Sequence, residues 1–286
     1  MGIAIATLVN GVSYGMVLFL VASGLSLTLG LMGIVNLAHG VIFTLGGFVG
    51  LAIAKLTGSF VLAVLAGALA SGIVGLIMER GFLRFLYKQD LPQVLVTFGF
   101  IYIITNLMLW ICGPHPRSAF VPSYFAGSVL IAGVSFPFHR FAIIGLGVAI
   151  GAALWWLQEK TKIGAIIRAG MDNAEMVGGL GINLAPINVG TFFFGSALAG
   201  ASCVIGVMLF GSVNFGDGMD MLLVAIAVVI VGGVGSVQGS LVGALLIGVI
   251  DTFSRVYLPS IAQYTMYLVL ILILVVRPSG LLGRKL

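Results

Sequence analysis

Of the 286 residues, 60% are hydrophobic and only 7% are charged, and mean hydropathy is +1.25. A water-soluble domain cannot present that composition to solvent, so the chain is expected to be an all-α polytopic membrane protein without a soluble domain. The net charge of +5 falls in short connections, where it reports topology and not nucleic-acid binding.

The opening, MGIAIATLVNGVSYG, has no basic n-region and no cleavage pattern, and reads as a retained first span. Apolar segments follow at about 4–30, 37–54, 60–78, 93–111, 141–157, 186–210, 221–234, 240–256 and 261–276, giving about nine crossings (8–10) of roughly 20 residues each. They form a single transmembrane domain over 1–286. Arg80, Arg84, Lys88, Lys160, Lys162, Arg168, Arg277, Arg284 and Lys285 are placed on the cytoplasmic side. Lys55, Arg117, Arg140 and Arg255 are left outside. An odd number of crossings with a cytoplasmic C-terminus puts the N-terminus outside. The turn at 31–36 carries no charge, so the first two segments are either two crossings or one crossing plus a re-entrant half-helix.

The stretch GIVNLAHG (33–40) places two polar residues in a run free of charge. After the break at Gly30 and Gly33, Asn36 stands where a helix N-cap belongs, able to accept from the backbone N–H of Ala38 or His39. If the break lies at membrane depth, the same helix end faces the translocation path and favours a substrate carboxylate. A shift of 199 positions lays 33–40 on GGVGSVQG (232–239), with His39 against Gln238. That echo is either a repeat or a coincidence of Gly/Val-rich sequence. Broken or re-entrant segments are therefore expected near 30–40 and 232–240, with Asn36, His39 and Gln238 as candidates for the translocation path.

Glycines four apart, Gly11 with Gly15, Gly46 with Gly50, and Gly235 with Gly239 and Gly243, mark helix faces for close packing, within the chain or against a second subunit. The connection 113–140 is rich in proline and contains SVLIAGVSF, which predicts a hairpin on the outer side. Cys112 and Cys203 lie in apolar segments without metal-ligand spacing.

No enzyme constellation emerges. His39, His115 and His139 are scattered, without zinc spacing. FGDG (215–218) resembles a membrane aspartyl protease motif, yet Asn214 stands where its glycine is required, and GVGSVQG lacks a dinucleotide-binding context. Asp217, Asp220 and the i,i+4 pair Asp251 and Arg255 lie near the expected outer surface. They read as structural pairs or snorkelling side chains, with substrate contact as the alternative. The region 158–185 is too polar to span and predicts a helix over 164–177 with a glycine-rich stop, either a handle for a partner or a solvated connection.

The order NGVSYG, GLMGIVNLAHG, IGAIIRAGMDNAEMVGGLGIN, VGGVGSVQGSLVGALLIG and RPSGLLG resembles the permease of branched-chain amino acid ABC importers, the shorter of that family's two permease subunits, over nearly the whole chain. The resemblance implies a multi-pass protein of the bacterial inner membrane, so the outer side on which the crossing count places the N-terminus is the periplasm. It implies a second permease subunit in a heterodimer, two cytoplasmic ATPases carrying ATP and Mg, and a periplasmic substrate-binding protein. No cofactor is expected in this chain. The 158–185 loop would dock on the ATPase through Arg168, Ala169, Asp172, Asn173, Glu175, Gly181 and Ile182. Relatives of this type serve branched-chain and other amino acids, amides, urea and aromatic acids. The competing expectation is a stand-alone channel or secondary carrier, for which the segments offer no carboxylate near the midplane.

Overall fold

The structure is a computed structural model that describes residues 2–87, 89–131 and 134–283. Lys88, Arg284 and Lys285, which the sequence assigns to the cytoplasmic side, lie outside the described residues. The chain runs as α1 (Gly2–Met32), α2 (His39–Thr57), α3 (Phe60–Gly81), α4 (Asp90–Cys112), β1 (Arg117–Ser118), β2 (Ser128–Ile131), β3 (Val134–Pro137), α5 (Phe138–Lys160), α6 (Lys162–Gly179), α7 (Ala185–Phe210), β4 (Ser212–Val213), α8 (Asp217–Gly232), α9 (Val237–Tyr257) and α10 (Ala262–Val276). All nine expected apolar segments are helices. Seven of these, α1 to α5, α7 and α9, are long and apolar enough to cross a membrane, and α8 and α10 are shorter.

The core is organised on α1, which packs against α5, α7, α8 and α9. Its middle turns, from Val17 to Ala22, are shut off from the surface. The buried hydroxyls of α1 turn back on its own backbone: Ser13 Oγ donates to Val9 O at 2.7 Å, and Thr28 Oγ1 to Leu25 O at 3.0 Å. In a medium without water, such local bonds satisfy hydroxyls that packing alone would strand.

Close approach of backbones sets the helix contacts. A Cβ on Gly24 would lie 2.4 Å from Gly195 O, joining α1 to α7, and a Cβ on Gly46 would lie 2.2 Å from the Cα of Gly200, joining α2 to α7. Gly11 and Gly15 meet α9 at Val249 and Ala244, while Gly239 and Gly243 meet α8 at Gly232. These glycine faces therefore serve packing inside the chain. Gly235 is a correction to the expected stripe: it lies in the connection between α8 and α9, with φ +79°, and touches α1 instead.

Outward faces are large and apolar. On α3, Leu62, Leu65, Leu69, Ile73 and Ile77 are exposed, whereas Ala63, Gly67, Ser71 and Gly75 are buried. Lipid tails are as apolar as leucine, so size and not polarity separates the two faces.

Two ends of the bundle can be told apart. Gly2 at the start of α1 abuts Val134 of the β2–β3 hairpin, and Gly30 near its end abuts Met171 of α6. The expected hairpin is present, and β1 pairs with β4, tying the same 113–137 connection to the end of α7.

Gly46→Leu is expected to remove folded protein, since overpacking costs about 1–3 kcal/mol where neighbours can yield and here the neighbour is backbone. Gly99→Ala, which meets nothing within 4 Å, is expected to leave the thermal midpoint of the detergent-extracted protein unchanged.

Candidate functional site

The two expected breaks are both present and both lie against α1. After Met32 the chain leaves helix for 33–38, with Gly33 at φ +66°, and α2 begins at His39. His39 Nε2 lies 3.1 Å from Val21 O. A carbonyl only accepts, so Nε2 carries the proton and donates. At 1.5 Å rise per residue, Val21 is about 16 Å back from the end of α1, near half of the roughly 30 Å hydrocarbon thickness. The 33–38 segment thus brings the start of α2 back alongside the middle turns of α1, and α2 itself, at 19 residues, is long enough to cross a membrane.

The expected capping role of Asn36 holds with a shift of position. Ala38 occupies the N-cap, and Asn36 Oδ1 accepts from Ala38 N at 3.1 Å in a turn just before it, while His39 N donates to Asn36 O at 3.2 Å. Asn36 and His39 are each 1% exposed, and Asn36 Nδ2 has no hydrogen-bond partner among the described residues. Gln238, by contrast, is exposed, so the structure does not bring the three expected path residues together. The echo marks two helix starts of similar kind: Ser236 caps α9, its Oγ accepting from Gly239 N at 2.9 Å.

The second break, 233–236, sits nearer the α6 end. Gly235 N donates to Ser26 Oγ at 3.1 Å. On its other side the chain's last described turn closes α8: Leu281 N donates to Val231 O at 2.8 Å and Leu282 N to Gly232 O at 3.0 Å. Those carbonyls are among the orphans that every helix C-terminus leaves.

At the opposite end of the bundle lies a cavity of about 520 Å³ between α1, α2, α7, α8, α9 and α10, within the size range of small-molecule sites. Its charged wall combines Asp217 and Asp220 from the first turn of α8 with Asp251 and Arg255 from α9. Arg255 Nε donates to Asp251 Oδ2 at 2.7 Å, and the Arg255 side chain remains 66% exposed, leaving the rest of its guanidinium open. Asp217 Oδ2 accepts from Asn214 N at 2.7 Å and closes the turn into α8. Phe43, Val207, Met221 and Ile247 supply an apolar lining, with Tyr14 and Gln263 as further polar groups. The sequence showed the Asp251 and Arg255 pair by its spacing, but gave no signal that α8, Tyr14 and α10 meet it.

The region expected to dock a partner forms α6, and it departs from one straight helix. Thr161 Oγ1 accepts from Gly164 N at 3.1 Å and starts it. Asn173 is extended, with φ −161° and ψ 96°, and its Oδ1 accepts from Met176 N at 2.9 Å, starting a second short helical piece. Ala169, Asp172, Asn173, Glu175, Gly181 and Ile182 are exposed. Arg168 is turned inward instead: it donates to Gln158 O and pairs with Glu159 at 3.5 Å, fastening α6 to the end of α5.

A multi-pass bundle with a solute-sized cavity at one end and an exposed, kinked helix at the other defines a membrane transport subunit. The family model described as "Branched-chain amino acid transport system / permease component" matches residues 7–277, and the chain belongs to this family. The High-affinity branched-chain amino acid transport system permease protein BraD of Pseudomonas aeruginosa is 27% identical, over 97% of this chain and 95% of that protein. The protein of the same description named LivH in Escherichia coli K12 is 27% identical, over 96% and 94%. The Ribose import permease protein RbsC of Haemophilus influenzae is 28% identical, over 78% and 68%.

Asn36→Asp is expected to lower thermal stability, because it places a carboxylate at a buried position where a charge without a partner is costly. Asn36→Ser keeps an acceptor for the Ala38 amide and is expected to cost less; thermal unfolding of both variants in detergent checks the order.

Proposed function

We propose that this chain forms half of the translocation path of an ATP-driven importer, and that its solute is an amino acid with an apolar side chain. The observation that carries the reading is the cavity wall, which offers carboxylates and an open guanidinium above an apolar lining. An α-ammonium suits Asp217 and Asp220, an α-carboxylate suits Arg255, and an aliphatic side chain suits Phe43, Val207 and Ile247. The names of the relatives BraD and LivH, which specify branched-chain amino acids, support the same class.

In this reading the α6 end faces the cytoplasm of a bacterial inner membrane and the cavity opens to the periplasm. The described basic residues support that orientation: Arg80, Arg84, Lys160, Lys162, Arg168 and Arg277 lie at the α6 end, and Lys55, Arg117, Arg140 and Arg255 at the other. The N-terminus then lies in the periplasm and the C-terminus in the cytoplasm. A second permease subunit completes the path, two ATPase subunits holding ATP and Mg dock on α6, and a periplasmic binding protein delivers the solute to the cavity. Asn36 and His39 form the closed floor of the path, one helical turn below Phe43.

The test is uptake of labelled leucine by the assembled transporter in proteoliposomes. Uptake is expected to require ATP on the α6 side. Replacing the ion pair as a unit, Asp251→Asn with Arg255→Gln, avoids stranding a buried charge. It is expected to reduce uptake by roughly 10- to 150-fold, the range that corresponds to loss of one charge-assisted hydrogen bond of about 1.5–3 kcal/mol. Uptake by this chain alone without ATP would replace the reading with a carrier.

A further inference from the structure

We propose that Met171 is a positioning residue that carries movement of α6 to the α8–α9 break and so to the charged wall of the cavity. The proposal rests on the ATP-driven reading of α6 and adds the route by which the two ends of the bundle communicate.

The route is built from contacts at the α6 end. The first part of α6 is fastened to α5 by Arg168, and Gly164 packs against the Leu157 and Gln158 carbonyls, where a Cβ would lie 2.4 Å or less from either oxygen. Six residues on, a Cβ at Gly170 would lie 2.7 Å from Leu31 of α1. Met171 then reaches into a notch between two residues without side chains. Its Cε lies 3.1 Å from the Cβ position of Gly30, and its Sδ 3.1 Å from that of Gly235. The notch is tight on its own account, since a Cβ at Gly30 would sit 2.5 Å from the Gly235 Cα. An unbranched thioether is suited to filling such a gap and following its shape as it changes.

The break that Met171 touches is the turn of a hairpin. From it α8 runs back to Asp220 and Asp217, and α9 runs forward to Asp251 and Arg255, so the hairpin's far ends are the charged wall. The Ser236 cap fixes the start of α9, and the contact of Gly232 with Gly239 holds the hairpin legs together. A displacement at 233–236 therefore moves both legs as a unit. Asn173 follows Met171 by two positions and breaks α6 there, which leaves the exposed residues beyond it on a separate short piece. Met171 is thus on the last turn before that break.

The experiment uses the complete transporter in proteoliposomes, reading ATP hydrolysis, leucine uptake and co-elution of the subunits for wild type, Met171→Ala and Met171→Leu. The expected result is that Met171→Ala assembles and hydrolyses ATP near the wild-type rate, while uptake per ATP falls about tenfold, within the range of measured site-to-site couplings. Met171→Leu, which keeps length and apolar bulk, restores most of the ratio. Unchanged uptake per ATP in Met171→Ala overturns the proposal. Loss of assembly, or hydrolysis and uptake falling in step, also overturns it, because packing or docking would then account for the residue. If the wild-type complex shows no ATP dependence, the reading of α6 fails before any variant is compared, and the proposal falls with it.

Discussion

A backbone amide or carbonyl left unpaired in the hydrocarbon interior costs several kcal/mol, so irregular chain survives at that depth only where protein covers it. The arrangement of this protein follows from meeting that constraint twice. At the break at 33–38 the residues alternate, Ile34, Asn36 and Ala38 buried and Gly33 and Val35 exposed; the Asn36 side chain accepts from the Ala38 amide, and His39 reaches across to Val21. The break at 233–236 draws an acceptor from Ser26 of α1 for its Gly235 amide, and the chain's last turn supplies donors for the end of α8. The buried α1 serves both, which explains why its middle turns are so completely enclosed.

Enclosing α1 in turn demands that its neighbours come close. Gly24 against Gly195 and Gly15 against Gly248 bring backbones to distances at which a methyl group would collide. Without a hydrophobic force between helices in lipid, that intimacy is the source of cohesion. The sequence displays it as glycine spacing, and this is why the packing faces of α1, α2 and α9 were legible in advance. The lipid-facing sides were not legible by hydropathy, because inside and outside are equally apolar. On α3 the alternation of Leu65 and Leu69 with Gly67 and Ser71 shows that a pattern of size carries the information instead.

The candidate site was legible in pieces. The start of α2 follows from Asn36, a local signal that acts over two residues, and the ion pair of α9 follows from helical spacing. Their depth and their neighbours depend on tertiary packing, which no local pattern encodes. Asp217 and Asp220 read as surface residues because they follow an apolar span, yet the 211–216 connection dips inward, and α8 starts beside Gly40 at the level of the α2 start. The kink in α6 escaped notice for a related reason. Asn173 is tolerable inside a helix and excellent at its start, and sequence alone does not say which of the two the fold selects.

The two helix starts that meet at the cavity floor shape its electrostatics. Both α2 and α8 present the positive ends of their dipoles there, and a Cβ at Gly40 would lie 2.0 Å from Gly218 O, so the ends are close. Asp217 and Asp220, both in the first turn of α8, offset that positive potential. The floor itself is a helix tip preceded by the irregular residues 33–36 and a turn at 37–38. In the path proposed above, opening toward α6 shifts one helix tip and a short irregular stretch, which exchanges fewer backbone hydrogen bonds than parting regular helix would.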